Sequence, residues 1–332
     1  MRFIVSADGA FADGDDVVKS QVYFVPTFKR ATPFSVIGNY FSARRRILDE
    51  VSRSRPAAVV TLMPHVWTPV LAPSIRKLGV KYIPIIHDAR PHPGDRTAWV
   101  TKWLLRDASY GDAVITLSEA VAQDLIEQDL VDPSRVMPLF HPDLTFQDTT
   151  CVRKVRSGDP LRLLFFGRVM AYKGLPLLIE AIETLRDEGL HVELGVAGPG
   201  DLGNDRARLE ALGAEIVNRW IDESEVSSIL TRYDAVACPH IEASQSGVVA
   251  AAFGHGMPVV AMPIGGIAEQ VIPEKTGLLA RDVSAPALAD AIRRLATEPG
   301  LYDAISESLT NTAAERSMGR FLSCICDRIE VS

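Results

Sequence analysis

The feature that most constrains this chain is a regular alternation of short, mostly apolar β-rich runs with longer helical patterns. In the first half the runs are RFIV, AAVVTL (57–62), YIPII (82–86), AVIT (113–116) and VMPL (136–139). Helical patterns separate them near 35–53, 66–78, 96–108 and 118–129. The second half repeats the scheme with LRLLFF (161–166), VELGVA (192–197), AEIV (214–217), AVAC (235–238), PVVA (258–261) and GLLA (277–280). Strands that are apolar throughout need cover on both faces, which parallel sheets with flanking helices supply. The sequence therefore predicts an α/β fold with two such sheets, and 332 residues suffice for two cores. The stretch 140–160 is polar, has Pro at each end and little periodicity, and reads as an interdomain linker. It divides the chain at about residue 150.

The charge excludes some partners. The net charge is −7, so nucleic acid is not expected as the main partner. Residues 1–150 balance 17 basic against 17 acidic side chains; the rest carry 18 and 25. One basic cluster stands out in the neutral half, Arg44-Arg45-Arg46, flanked by Val36, Ile37, Tyr40, Phe41, Ile47, Leu48 and Val51. It reads either as a surface helix with one side on the core or as a basic amphipathic helix touching anionic lipid. Cys151, Cys238, Cys324 and Cys326 are too few and scattered for a disulfide framework, which fits a reducing cytoplasm. The first ten residues read as a strand rather than a leader, and no apolar run is long enough to span a bilayer. A cytoplasmic location follows as an expectation, with peripheral contact at the inner membrane face if the lipid reading of 44–46 holds. No metal site and no cofactor are expected.

Ligands of open parallel sheets sit outside the carboxyl ends of the strands, so chemistry is sought in the loops that follow them. Arg168 lies two residues past the run 161–166, and Lys173-Gly174 lie at the start of the next helical pattern. Free N–H groups and the dipole of a helix start already favour anions. Arg can fork onto two oxygens and Lys adds a point charge, so a strongly anionic guest such as a diphosphate is indicated. A second anion-competent start follows the run 235–238. There Ser246 would cap a helix of small and apolar residues, and Gly247 would let a ligand approach the N–H groups of Gly247 and Val248.

In order, these stretches are G-R-x4-K-G (167–174), GPG (198–200), EASQSGVV (242–249), G-x-P-V-V-A-x-x-x-G-G-x-x-E (256–269) and KTGLL (275–279). The series resembles the family 4 glycosyltransferases, retaining enzymes of the GT-B fold, in a subgroup with an S-Q-S-G-V donor loop. The resemblance implies two Rossmann-like domains with parallel sheets facing across a cleft. The first (1–150) is the acceptor side, the second (151–314) binds the nucleotide sugar, and a last helix (315–332) crosses back to the first. It implies a UDP- or GDP-sugar donor and a glycan or lipid-linked saccharide acceptor, with hexosyl transfer that needs no metal. Arg168 and Lys173 would hold the diphosphate beside Gly167, and Gly247 and Val248 would bind a phosphate through N–H groups. The common family pattern has two Glu eight residues apart. Here Glu242 fits the first only with a shift of a residue or two, and the second falls on Ala250 or Ala251. Ribose recognition then passes to Ser244, Gln245, Ser246 or a backbone carbonyl.

His87 and Asp88, after the run 82–86, resemble the family's His-Asp segment that faces the transferred sugar. Positioning of sugar hydroxyls, or a general base, is the role implied. His65 and Trp67 after 57–62, and His92, are candidates for the acceptor or sugar side. Ser118 reads as a helix cap. A non-catalytic nucleotide-sugar-binding protein is the alternative. A dehydrogenase is excluded, because SADGAFADG does not supply G-x-G-x-x-G after the first strand.

Overall fold

The computed structural model describes residues 3–6, 22–25, 33–91, 98–146 and 159–331. The chain divides into two compact units. One comprises Met1–Ile86, Lys102–Ile115 and Leu130–Val136; the other comprises His87–Thr101, Thr116–Asp129 and Met137–Ser332. The loops that follow the strands at 81–86 and 114–116 therefore belong with the second half of the sequence.

In chain order the first half contains β1 (Phe3–Ser6), β2 (Val22–Val25), α1 (Pro33–Ser54), β3 (Ala58–Thr61), α2 (Thr68–Arg76), β4 (Lys81–Ile86), α3 (Ala98–Tyr110), β5 (Val114–Thr116), α4 (Glu119–Glu127) and β6 (Val136–Pro138). The pair β1-β2 is parallel, with Phe3 opposite Val22. A four-stranded sheet has the order β3-β4-β5-β6, and β4 is buried along all but its first residue. The strand β2 has no counterpart among the sequence expectations; its four residues, VYFV, are too short to show a period. In α1, Ala43 and Val51 face a core completed by Trp67, Leu71, Ile75 and Tyr82. The basic cluster lies across the helix: Arg44 reaches Ser74 Oγ at 3.1 Å, while Arg45, Arg46 and Phe41 are exposed. Among the described residues no helix is long and apolar enough to cross a membrane.

The second half contains β7 (Leu161–Phe166), α5 (Leu175–Asp187), β8 (Val192–Ala197), α6 (Asp205–Ala211), β9 (Glu215–Val217), α7 (Glu223–Leu230), β10 (Ala235–Cys238), α8 (Gly247–Gly254), β11 (Val259–Ala261), α9 (Gly265–Gln270), β12 (Gly277–Leu279), α10 (Ala285–Thr297), α11 (Leu301–Asn311) and α12 (Met318–Val331). Its sheet has the order β12-β11-β10-β7-β8-β9, with every neighbouring pair parallel. Chain order runs outward in both directions from β7 and β10, so the sheet has its topological switch point between them. Loops on the two sides of such a point diverge at the strands' carboxyl ends and leave a crevice there. The loops after β7 and β10 are the two that the sequence marked as anion-competent.

Helix α8 is apolar on every side and correspondingly buried, with Val249 through Phe253 inside the core. Part of the stretch read as a linker packs against it. Leu144 N donates to Ala250 O at 3.0 Å, and Asp143 pairs at 3.0 Å with Arg316, which lies over the Phe253 ring. Phe140 meets Phe321 of α12 edge to face. Residues 139–146 are thus docked chain with fixed hydrogen bonds.

Candidate functional site

The loop after β7 turns through Gly167, which has φ +103°, and a short 3-10 turn at Ala171–Lys173, and enters α5 at Gly174 with φ +66°. Glycine is required at 174 twice over. The left-handed φ disfavours a side chain, and a Cβ there would stand 1.9 Å from Pro239 O. The loops after β7 and β10 therefore interlock, and Ile241 N donates to Tyr172 O at 2.8 Å.

This interlock buries Lys173 to 9% exposure. Its Nζ lies 3.3 Å from His240 Nε2 and 6.0 Å from the centre of the Tyr172 ring. A Cβ placed on Gly167 would meet Lys173 Nζ and Val248 Cγ2, each at 3.4 Å. Gly167, Lys173 and the first turn of α8 therefore converge on one spot. Burial lowers the Lys173 pKa; Cys238 opposes that shift and the Arg168 guanidinium adds to it. Among the described residues no carboxylate contributes. Arg168 itself is exposed, and among the described residues it forms no ion pair. Two cations close enough to disfavour each other, one of them buried, form a costly arrangement that an anion would relieve.

The start of α8 supplies neutral donors. Ser246 caps the helix, its Oγ accepting from Val249 N at 3.3 Å, and Ala250 N reaches Ser246 O. Among the described residues no acceptor is seen for the N–H groups of Gly247 and Val248. Ser244 O accepts from Ser118 Oγ at 2.8 Å, and Ser118 also caps α4 as the sequence predicts. The Gln245 side-chain oxygen is buried with no hydrogen-bond partner among the described residues. Glu242 is half-buried in the same loop. Ala250 and Ala251 are 1% and 3% exposed, with both carbonyls engaged, by Leu144 N and the His255 ring respectively.

The structure thus gathers Gly167, Arg168, Lys173, Ser246, Gly247 and Val248 at one switch point. His87 and Asp88 follow β4 directly, and the His87 charge acts on His141, whose pKa burial lowers first. His65 and Trp67 lie in the other unit. Trp67 corrects an expectation: it is 5% exposed, packed edge to face on Tyr40 and His65, and its ring serves the core rather than offering a face to sugar. The loop that was expected to present it turns instead at once into α2, with Trp67 at its N-cap. His65 is half-buried, accepts from Trp67 N at Nδ1, and has its pKa lowered by burial. His92 lies outside the described residues. Sequence reasoning passed over His240 and Gln270. His240 sits in the loop already marked after β10, so its position at a strand end was available as a signal. Gln270 closes α9 and carried no signal.

A doubly wound parallel sheet, a separate parallel sheet in the first half and a cationic switch-point crevice define a GT-B architecture. The "Glycosyl transferase 4-like domain" matches residues 4–139 and "Glycosyl transferases group 1" matches residues 160–298. Between them they take in most of the chain, which belongs to the GT-B glycosyltransferases. It is 31% identical over 206 residues to a D-inositol 3-phosphate glycosyltransferase of Corynebacterium glutamicum, covering 55% of this chain and 49% of that one. It is 24% identical over 267 residues to a 2-deoxystreptamine glucosyltransferase of Streptomyces kanamyceticus, covering 71% and 66%. The chain spans about half the length of the first of these curated relatives. The Anabaena Alr3699/HepE structure in complex with UDP shares the fold, with a TM-score of 0.70 at 15% identity over 99% of this chain and 92% of that one. A Rickettsia africae glycosyltransferase does so with a TM-score of 0.65 at 16% identity, over 96% and 88%.

Proposed function

We propose that this protein transfers a hexose, with retention and without a metal ion, from a UDP- or GDP-sugar to a glycan or lipid-linked saccharide. The observation that carries the reading is the buried Lys173 Nζ, held beside Gly167 and Val248 with no carboxylate among the described residues to neutralise it. A diphosphate would supply the missing charge. Arg168 would close over it from the exposed side, and the N–H groups of Gly247 and Val248 would take phosphate oxygens.

The chemistry follows from where charge develops. As the bond from the sugar's anomeric carbon to the β-phosphate oxygen breaks, negative charge grows on the diphosphate. Fixed cations and N–H dipoles in a water-poor crevice stabilise that charge without reorganising. The acceptor hydroxyl oxygen forms the new bond to the anomeric carbon and passes its proton to the departing diphosphate oxygen. His87 and Asp88 are the residues proposed to hold the sugar hydroxyls, with Glu242 beside them in this role. The Gln245 side-chain oxygen, which has no partner among the described residues, is proposed with Ser244 for the ribose in place of the glutamate that Ala250 or Ala251 cannot provide. Peripheral contact with an anionic membrane through Arg45, Arg46 and Phe41 is proposed for a lipid-linked acceptor.

Incubation with a panel of UDP- and GDP-sugars tests the reading. Slow release of nucleotide without acceptor, abolished by joint Arg168→Ala and Lys173→Ala, is expected. The buried alanines at 250 and 251 favour one other reading, a protein that binds the nucleotide sugar without turning it over. Tight binding with no release from any donor would select that reading.

A further inference from the structure

Gln270, the last residue of α9, holds Ser246 by both ends of its side-chain amide. Ser246 N donates to Gln270 Oε1 at 2.8 Å, and Gln270 Nε2 donates to Ser246 O at 3.2 Å. We propose that Gln270 is a positioning residue that aims the Gly247 N–H at the donor's phosphate. This rests on the donor reading above.

The argument is one of peptide geometry. The Ser246 carbonyl and the Gly247 N–H belong to one rigid planar unit and point in opposite directions. Fixing the carbonyl fixes the N–H. Ala250 N also reaches this carbonyl, at 3.2 Å along the helix, but a single helical bond leaves the first peptide of a helix free to tilt. Gln270 adds a second bond from the side and anchors the preceding peptide through Ser246 N. Only an amide side chain presents an acceptor and a donor together at this spacing.

The brace is itself anchored. Gly265 and Gly266 open α9 against the donor loop, so closely that a Cβ on either would lie about 2 Å from the carbonyl oxygen of Ala243 or Ser244. At the other end Glu269 accepts from Glu119 N and Ala120 N at 2.7 and 2.8 Å, which caps α4. Ser118 then holds Ser244 O. Helix α9 therefore ties residues 243–246 to the start of α4, and Gln270 is its contact with the phosphate-facing turn.

Titration calorimetry with UDP and with GDP, and ligand-observed NMR with uridine and with guanosine, test this on the wild type and two variants. Gln270→Leu removes both bonds. Gln270→Glu keeps the bond from Ser246 N and loses the donor to Ser246 O, so it carries the test if the leucine variant fails to fold. Each variant is expected to lose about tenfold or more in affinity for the diphosphate that the wild type binds, with nucleoside binding and circular dichroism unchanged. Unchanged diphosphate affinity in both variants overturns the proposal and leaves the donor reading standing. An equal loss for nucleoside and diphosphate overturns it too, since it shows a general loosening of the fold. A wild type that binds neither UDP nor GDP overturns the donor reading and this proposal with it.

Discussion

Lys173 Nζ and His240 Nε2 stand 3.3 Å apart inside the second unit, on loops that follow β7 and β10. With Lys173 as an ammonium, which can only donate, His240 Nε2 is the acceptor of this contact. His240 is thereby the group that fixes a buried cation where the two strand-end loops meet. His240→Ala is expected to lower the rate of transfer about tenfold, and His240→Gln, which returns an acceptor oxygen, to restore part of it. Steady-state kinetics on both variants check this.

The lowered pKa of Lys173 gives a pH dependence with a definite sign. Burial disfavours the charged form in the free protein. A bound diphosphate favours the charged form, so the pKa in the complex lies above that in the free protein. Donor affinity is then fully present below the free pKa and is lost as pH rises through the bound one. Calorimetry from neutral pH up to the ordinary lysine range is expected to show weakening binding, with protons taken up on binding in the upper part. Arg168→Ala should keep this profile at lower affinity, while Lys173→Met should flatten it.

Gly174→Ala tests the interlock of the loops. The substituted Cβ would meet Pro239 O at 1.9 Å with φ at +66°, so the 239–241 segment has to move. A destabilisation of about 2–4 kcal/mol is expected in denaturant unfolding. Donor affinity should fall as well, because His240 lies in the displaced segment.

The exposed face of α1 makes a separate prediction. Sedimentation with vesicles of anionic phospholipid should recover the protein at low salt, and joint Arg45→Glu and Arg46→Glu should reduce that recovery several-fold. Recovery that is equal on neutral and anionic vesicles would contradict a charge-led contact.

The parallel sheets, and the strand-end loops that carry Arg168, Lys173 and Gly247, were legible in the sequence because each depends on local pattern. Apolar runs such as LRLLFF and AVAC, alternating with helical patterns, read as strands covered on both faces, and Arg168, Lys173 and Gly247 lie in the loops that follow them. What was not legible depends on long-range pairing. The order that puts β10 beside β7 brings Pro239 to Gly174 and His240 to Lys173, and no spacing along the chain records it. Gln270 lies 24 residues from Ser246 and meets it only because α9 folds back over residues 243–246. Trp67 shows the converse. A tryptophan after a strand suits a sugar platform and a core equally well in sequence, and the packing of α1 against α2 decided for the core.

The central claim is that Lys173 and the start of α8 hold a nucleoside diphosphate, and direct binding tests it most simply. Titration of the wild type and of Lys173→Ala with UDP and GDP is predicted to show one of the two bound by the wild type, and a loss of affinity on the order of a hundredfold in the variant. Equal affinity in wild type and variant, or no binding of either diphosphate to the wild type, would contradict it.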